Sequence, residues 1–227
     1  MSRPPGAPPV LLVLGKAPVP GRSKTRLVPG FGPEGAARLA AAALADTLLA
    51  VAAAPAARRV LVLDGDLGRG SPPPCGSWAG LTAGFEVVPQ VGGDHTDRIV
   101  AAFERVDGPA LLIGTDTPQV TPALLTLPAS HPGAAHLGPA VDGGWWAMAL
   151  PRARRDAHRV LHGVPTSTPR TGALQRERLA TAGFAVHDLP PLRDVDEPGD
   201  AHAVAAATPG TWFAAQLRAE VAVPAAR

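Results

Sequence analysis

The sequence predicts an α/β domain with a mixed, mostly parallel sheet and helices on both of its faces. Two patterns carry this expectation. Short apolar runs of strand length alternate with longer stretches of helical period. No internal repeat or linker composition interrupts that alternation, so one domain over residues 1–227 is expected. At 46% hydrophobic and 18% charged residues, the chain is apolar enough to bury a core at this length.

The elements follow in order. Val10–Leu14 reads as a buried strand followed by a Gly/Pro-rich loop. Glu34–Ala54 is rich in alanine and leucine at helical spacing, and Pro55 stops it. Val60–Leu63 is a second strand, residues 65–84 a Gly/Pro-rich loop, and Phe85–Val88 a third strand. Thr96–Val106 places Ile99, Val100, Phe103 and Val106 on one helical face. Ala110–Ile113 is a fourth strand, and Thr121 is expected to cap a short helix through Leu127. Ala134–Leu137 and Trp145–Leu150 read as strands around a Gly-rich turn. A helix over Gly172–Ala182, a strand over Ala185–Leu189, and helices over Pro198–Ala207 and Thr211–Val221 complete the pattern. In such sheets ligands bind beyond the carboxyl ends of the strands, so the loops after Leu14, Leu63 and Ile113 are expected to face one crevice.

Composition excludes several classes. The single cysteine, Cys75, rules out an internal disulfide framework and a cysteine-based zinc site. A net charge of +2 and 4% aromatic residues, with no tyrosine, argue against a nucleic-acid partner. The sequence reading finds no apolar run of membrane-span length, and Val10–Leu14 is too short for a signal-peptide core, so a cytoplasmic protein without a membrane partner is expected. Homodimerisation is left open. No Gly-x-Ser-x-Gly elbow marks a hydrolase, and no Gly-x-Gly-x-x-Gly follows the first strand.

The basic residues are unevenly typed. Of 21, only two are lysine, and both, Lys16 and Lys24, fall in Gly15-Lys16-Ala17-Pro18-Val19-Pro20-Gly21-Arg22-Ser23-Lys24-Thr25-Arg26-Leu27. Lysine offers a compact point charge where arginine offers a planar fork. Gly15, Lys16, Gly21, Arg22, Lys24 and Arg26 form a candidate phosphate-binding loop directly after the first strand, although its spacing is not that of a Walker A motif. A solvated basic loop is the plain alternative.

Carboxylates form the second set. Asp116, just past the fourth strand, suits a magnesium ion or caps a turn. Asp194 and Asp196, two apart in an extended segment, point the same way and suit one ion; alternatively, Asp196 caps the helix that begins near Pro198. Asp142-Gly143-Gly144 is a ligand-approach turn or a plain hairpin, and Asp64-Gly65-Asp66 is a metal-binding Asp-x-Asp pair or a commonplace turn. The seven histidines show no ligand spacing, and the Trp145-Trp146 pair is expected in the core.

Taken together, these stretches resemble the bacterial selenodomain-associated transferase family, glycosyltransferase A-like and DUF2064-type. The match is carried by residues 15–27, Ile113-Gly114-Thr115-Asp116-Thr117-Pro118, residues 137–146, and Asp194-Val195-Asp196-Glu197-Pro198-Gly199-Asp200. The first and last blocks are also similar to those of 2-phospholactate and, more distantly, molybdenum cofactor guanylyltransferases. The resemblance implies a Rossmann-like nucleotide-diphosphosugar transferase fold of the GT-A type. It puts Lys16, Arg22, Lys24 and Arg26 on nucleotide phosphates, and Asp116, Asp194 and Asp196 near magnesium or manganese. The sequence departs from the family pattern at Trp145-Trp146, at His95-Thr96-Asp97-Arg98-Ile99 and at Thr166, all bearing on the acceptor.

The expected function is a nucleotidyltransferase passing a nucleotidyl group from an NTP to a small phosphorylated or acidic acceptor. Lys24, Arg22 and Asp116 are its expected catalytic groups, and Asp142, Gly143, Gly144 and Arg98 lie on the acceptor side. The alternatives are a glycosyltransferase with a nucleotide-sugar donor held at Asp64 and Asp66, and a non-catalytic nucleotide binder.

Overall fold

The computed structural model describes residues 8–127, 131 and 133–222. The basic N-terminal stretch at residues 1–6 lies outside them. The strands are β1 (Val10–Lys16), β2 (Arg58–Asp64), β3 (Glu86–Pro89), β4 (Ala110–Ile113), β5 (Ala135–Pro139), β6 (Trp145–Leu150) and β7 (Val186–Asp188). The helices are α1 (Val28–Ala53), α2 (Trp78–Leu81), α3 (His95–Glu104), α4 (Ala153–Leu161), α5 (Thr171–Thr181), α6 (Pro198–Ala207) and α7 (Trp212–Ala222).

The strands form one sheet in the order β3-β2-β1-β4-β6-β5-β7, parallel except for β6, which runs against both neighbours. Period-two alternation sends the two side-chain sets of each strand to opposite faces. Leu12, Val60, Val62 and Leu112 pack against Ile99, Val100 and Phe103 of α3 and Ala157, Val160 and Leu161 of α4. Leu11, Val13, Leu61, Leu111 and Ile113 pack against Leu44, Leu48 and Val51 of α1. The chain thus leaves β1 for β2 through α1 on one face and reaches β4, on the other side of β1, through α3 on the opposite face. This reversal of strand order opens a crevice at the carboxyl ends. The register places Lys16 beside Asp64 and Val13 beside Ile113, so the three expected loops leave the same edge.

Several elements differ from the sequence reading. The α1 span begins at Val28, with a break at Gly32 (φ 67°) before Pro33, so its regular part starts where the sequence placed it. Ala54 is extended (φ −79°, ψ 149°), as the residue before Pro55 must be. Although no apolar run of span length was expected, α1 with the turn before it is long and apolar enough to cross a membrane, and 67% of its most apolar window is buried in the fold. It lies between the sheet and a third cluster in which Leu39, Ala42 and Ala43 meet Val204, Phe213 and Leu217. A helix covered on two sides has no polar face, and alanine lets its neighbours approach closely.

The expected helix over Thr121–Leu127 is a set of turns. Thr121 Oγ1 accepts from the Leu124 amide at 3.4 Å, but no helix continues from it. The loop over residues 65–84 contains a 3₁₀ turn, Leu67–Arg69, and α2. The sequence reading missed α4, whose Ala153, Ala157, Val160 and Leu161 are spaced for a helix. Its charged residues obscured that stripe. Asp156 is 1% exposed and holds Arg152 and Arg159, each at 3.0 Å.

Asp46 ties α1 to α7. Its carboxylate accepts from the amides of Trp212 at 3.0 Å and Phe213 at 2.8 Å, capping the first turn of α7 from another element. Asp46→Ala should cost about 1 kcal/mol, lowering Tm by roughly 2–4 °C. Thermal denaturation of the two proteins tests this; an unchanged Tm removes the capping role.

Candidate active site

The loop after β1 is fixed from inside. Ser23 is buried, donates to the Ala17 carbonyl at 2.7 Å and accepts from the Val19 amide at 3.2 Å. Gly21 adopts φ 71°, a left-handed conformation that favours glycine. Lys24 is also left-handed (φ 49°) and leads into the 3₁₀ turn Thr25–Leu27, where Leu27 is fully buried. Ser23 and Leu27 therefore face inward while Arg22, Lys24 and Arg26 face the crevice. Gly15 packs under Thr115, whose Cγ2 would lie 3.3 Å from a Cβ there. The Gln90 amide donates to the carbonyls of Gly15 at 2.6 Å and Val62 at 3.2 Å, tying together the ends of β1 and β2.

The carboxylates converge on this loop from far along the chain. The Val195 amide donates to the Asp116 carbonyl at 2.8 Å, which draws the 194–196 segment to the end of β4. Lys24 Nζ lies 2.5 Å from Asp116 Oδ1, 2.5 Å from the Val195 carbonyl and 3.6 Å from Asp196 Oδ1. The Lys24 side chain is only 12% exposed, whereas Asp116 is 53% exposed, so the ammonium is sheltered while its partner carboxylate stays open to water. Arg26 Nη1 meets Asp196 Oδ2 at 3.0 Å. Asp196 does not cap α6; Glu197 occupies that position and Asp200 accepts from its amide at 3.1 Å. The Asp196 carboxylate is thereby left for the cations.

Asp194 sits deepest. Its Oδ1 is buried without a hydrogen-bond partner among the described residues. Burial, then the charges of Asp116, Asp142 and Asp196, push its carboxyl up to about 7 against the opposing pull of Lys24.

Two adjoining cavities flank the carboxylates. One, about 350 Å³, is lined by Lys16, Arg22, Lys24, Arg26 and Arg98. The other, about 270 Å³, is lined by Asp142, Asp194, Gly144, Trp145 and the 164–175 segment. Leu14, His95, Thr115, Asp116 and Asp196 line both. Arg98, expected on the acceptor side, lines the cationic cavity, where it lies 3.7 Å from Asp64. Lys16 lies 3.5 Å from that same carboxylate. Asp66 turns to its own loop, accepting from the Gly68 amide at 2.8 Å.

The Asp142-Gly143-Gly144 turn forms a wall of the second cavity. Asp142 Oδ1 accepts from the Gly144 amide at 2.8 Å. Gly143 (φ 90°) admits no side chain, because a Cβ would stand 2.0 Å from the Pro169 carbonyl oxygen, and its own carbonyl accepts from Gly172 at 2.7 Å. The turn is thus clasped to the start of α5. Trp146 is core, as expected, whereas Trp145 is half-buried and faces the cavity.

Ser23, Gln90 and Thr171 carry no signal in the sequence, whereas His95 and Thr166, noted there only as departures from the family pattern, line the second cavity. His95 opens α3 behind its N-cap Asp94 and Gly92-Gly93, a signal available in the sequence. Burial lowers its pKa, helped by Arg98 and opposed by Asp116 and Asp94. A separate group of histidines was also unforeseen: His131 and His187 stack with ring centroids 3.8 Å apart, beside buried His136.

Comparison with known proteins agrees with this architecture. Residues 47–168 match the family model described as "Uncharacterized protein conserved in bacteria (DUF2064)". The chain belongs to the DUF2064 family. The matched span includes Arg98, Asp116 and Asp142 but neither the cationic loop nor Asp194 and Asp196. The chain is similar to the crystal structure of a candidate nucleotide-diphospho-sugar transferase from Desulfovibrio desulfuricans G20, at 23% identity and TM-score 0.77, covering 94% of this chain and 95% of that one. It is also similar to a nucleotidyl transferase from Methanothermobacter thermautotrophicus, at 14% identity and TM-score 0.58, with 92% and 98% covered. A third likeness is to a CMP:2-keto-3-deoxy-manno-octonic acid synthetase complexed with CTP, at 13% identity and TM-score 0.53, with 88% and 98% covered. No curated protein matches in sequence. The fold is the mostly parallel Rossmann-like GT-A fold that the sequence resemblance implied.

The raised Asp194 carboxyl makes stability depend on pH. A group protonated more readily in the folded than the unfolded state stabilises fully below its ordinary pKa, and that contribution is lost as pH rises through the folded value of about 7. In buffer containing a chelator, Asp194→Asn should therefore gain Tm over the parent progressively from pH 4 to pH 8. A Tm difference independent of pH refutes it.

Proposed function

We propose that this protein is a nucleotidyltransferase that moves a nucleotidyl group from a nucleoside triphosphate to a small-molecule acceptor, with magnesium or manganese. The observation that carries the reading is the Lys24 ammonium, 2.5 Å from Asp116 and 3.6 Å from Asp196, which joins the cationic loop to the carboxylates at one point. Five cationic side chains around one cavity suit a triphosphate better than the diphosphate of a sugar donor. Arg98 Nε, buried there without a hydrogen-bond partner among the described residues, adds a donor for an anion.

The residues present fit a divalent cation. Carboxylates are the hard oxygen donors such an ion prefers, and the unpartnered Asp194 Oδ1 lies among three other carboxylates whose charges already act on it. Among the described residues no three His, Cys, Asp or Glu side chains form a ready-made site, because Lys24 draws Asp116 and Asp196 to itself. Asp116, Asp194 and Asp196 would hold the ion once phosphates engage Lys24, and it would neutralise charge on the phosphate oxygens. Lys16, Arg22, Lys24 and Arg26 would bind the triphosphate and stabilise the charge that gathers on pyrophosphate as it leaves. Transfer of this kind depends chiefly on position and charge. A cytoplasmic setting fits such a substrate.

The runner-up, a glycosyltransferase using a nucleotide-sugar, would need Asp64 and Asp66 as its metal pair. Asp64 is engaged by Lys16 and Arg98, and Asp66 by the Gly68 amide and, at 3.7 Å, by Arg69.

With magnesium and each NTP in turn, pyrophosphate release should depend on an added acceptor. Lys24→Ala should slow it by on the order of 10²–10³-fold, and Lys24→Arg should not restore it, since a fork cannot replace a point charge. Absence of any NTP response in a thermal-shift assay refutes the reading. Asp66→Ala should retain nucleotide binding; its loss, with a preference for a nucleotide-sugar, would install the runner-up.

A further inference from the structure

We infer that the cavity beside Asp142 takes an uncharged, hydroxyl-bearing acceptor with an apolar flank, rather than the phosphorylated or acidic acceptor expected from the sequence. This rests on the reading above, in which the adjoining cavity holds the nucleotide.

The two cavities divide the charge between them. Both lysines and Arg22, Arg26 and Arg98 line the first, whereas among the described residues no lysine or arginine lines the second. The second instead presents Asp142 and Asp194, together with the shared Asp116 and Asp196. A phosphate or carboxylate entering it would lose water, meet no lysine or arginine among the described lining residues, and face Asp142, which the ion of the reading above leaves unheld. A cation gains less there than four carboxylates suggest. In the reading above Asp116, Asp194 and Asp196 hold the ion, and Asp142 accepts from the Gly144 amide.

The remaining lining suits an uncharged polyol. Ile99, Trp145 and Leu161 give it an apolar side, and a half-buried indole can cover the C–H face of a sugar or sugar alcohol. Thr96, Thr166 and Ser167 also line it, and their hydroxyls make no side-chain hydrogen bond among the described residues. Ser167 is held at φ 58°, an uncommon conformation for a residue with a side chain. At about 270 Å³ the cavity is at the small end of ligand pockets.

An uncharged hydroxyl must lose its proton during transfer. The acceptor oxygen bonds to the α-phosphorus of the NTP, the bond from that phosphorus to the α,β-bridging oxygen breaks, and pyrophosphate leaves with the electron pair. The hydroxyl proton passes to the imidazole of His95, which lines both cavities.

The test uses matched acceptors: glycerol against glycerol 3-phosphate and glycerate, methyl glucoside against glucose 6-phosphate, and choline as the cationic control. Binding is read by thermal shift with magnesium and each α,β-methylene NTP, and transfer by pyrophosphate release with the NTPs. The uncharged members should bind and turn over, with the anionic partners roughly tenfold weaker or more. Thr166→Arg, at the exposed rim, should reverse that preference while leaving nucleotide binding intact. His95→Gln should abolish transfer and retain binding of both substrates. A stronger response to the anionic members or to choline overturns the inference, as does no response to any uncharged member while the nucleotide response persists. Loss of the nucleotide response itself counts instead against the nucleotidyltransferase reading.

Discussion

A single ammonium group organises the crevice. Lys24 lies on a loop leaving the first strand, yet its contacts are Asp116 after the fourth strand and the Val195 carbonyl before the sixth helix. Without that charge, Asp116 and Asp194 would stand together at the mouth of the sheet, and Asp196 would keep only Arg26 among the described residues. With it, each side of the crevice holds the other in place. The geometry of the loop follows from this demand. Ser23 and Leu27 are buried while Arg22, Lys24 and Arg26 line the crevice, and Lys24 accepts a left-handed backbone in the process.

The sheet makes this meeting possible. Because β1 has β2 on one side and β4 on the other, the loops after β1 and β4 part from each other and leave an opening between them. The Asp142 turn leaves the carboxyl end of β5, which runs with β1 and β4, and Trp145 opens the reversed strand β6 at that same edge. One opening is thus divided into a cationic half and an acidic, hydroxyl-lined half, with His95 and Asp116 between them. That division suits a reaction joining two unlike molecules.

Much of the fold was legible because its signals are local. Strand runs such as Val60–Leu63 and Ala110–Ile113 are wholly apolar, as strands buried on both faces must be. Where local signals conflicted, the reading failed. The Thr121 hydroxyl offered a helix cap but only turns followed, and the charges of α4 hid a stripe of small apolar residues. The membrane-like composition of α1 reflects neighbours on both sides, which no window along the sequence contains.

The sequence by itself determined the types of group at the crevice: a cationic loop after the first strand and aspartates at the ends of later segments. Their clustering in short motifs made them visible without coordinates. Only the tertiary structure decided their partners, because the contacts of Lys24 span 92 residues to Asp116 and 172 to Asp196, by subtraction of their positions. It released Asp196 from the capping role by placing Glu197 at the N-cap of α6, moved Arg98 to the cationic half, and buried Oδ1 of Asp194. Each outcome depends on which charges share a small volume of low dielectric, and distance along the chain carries no information about distance in space.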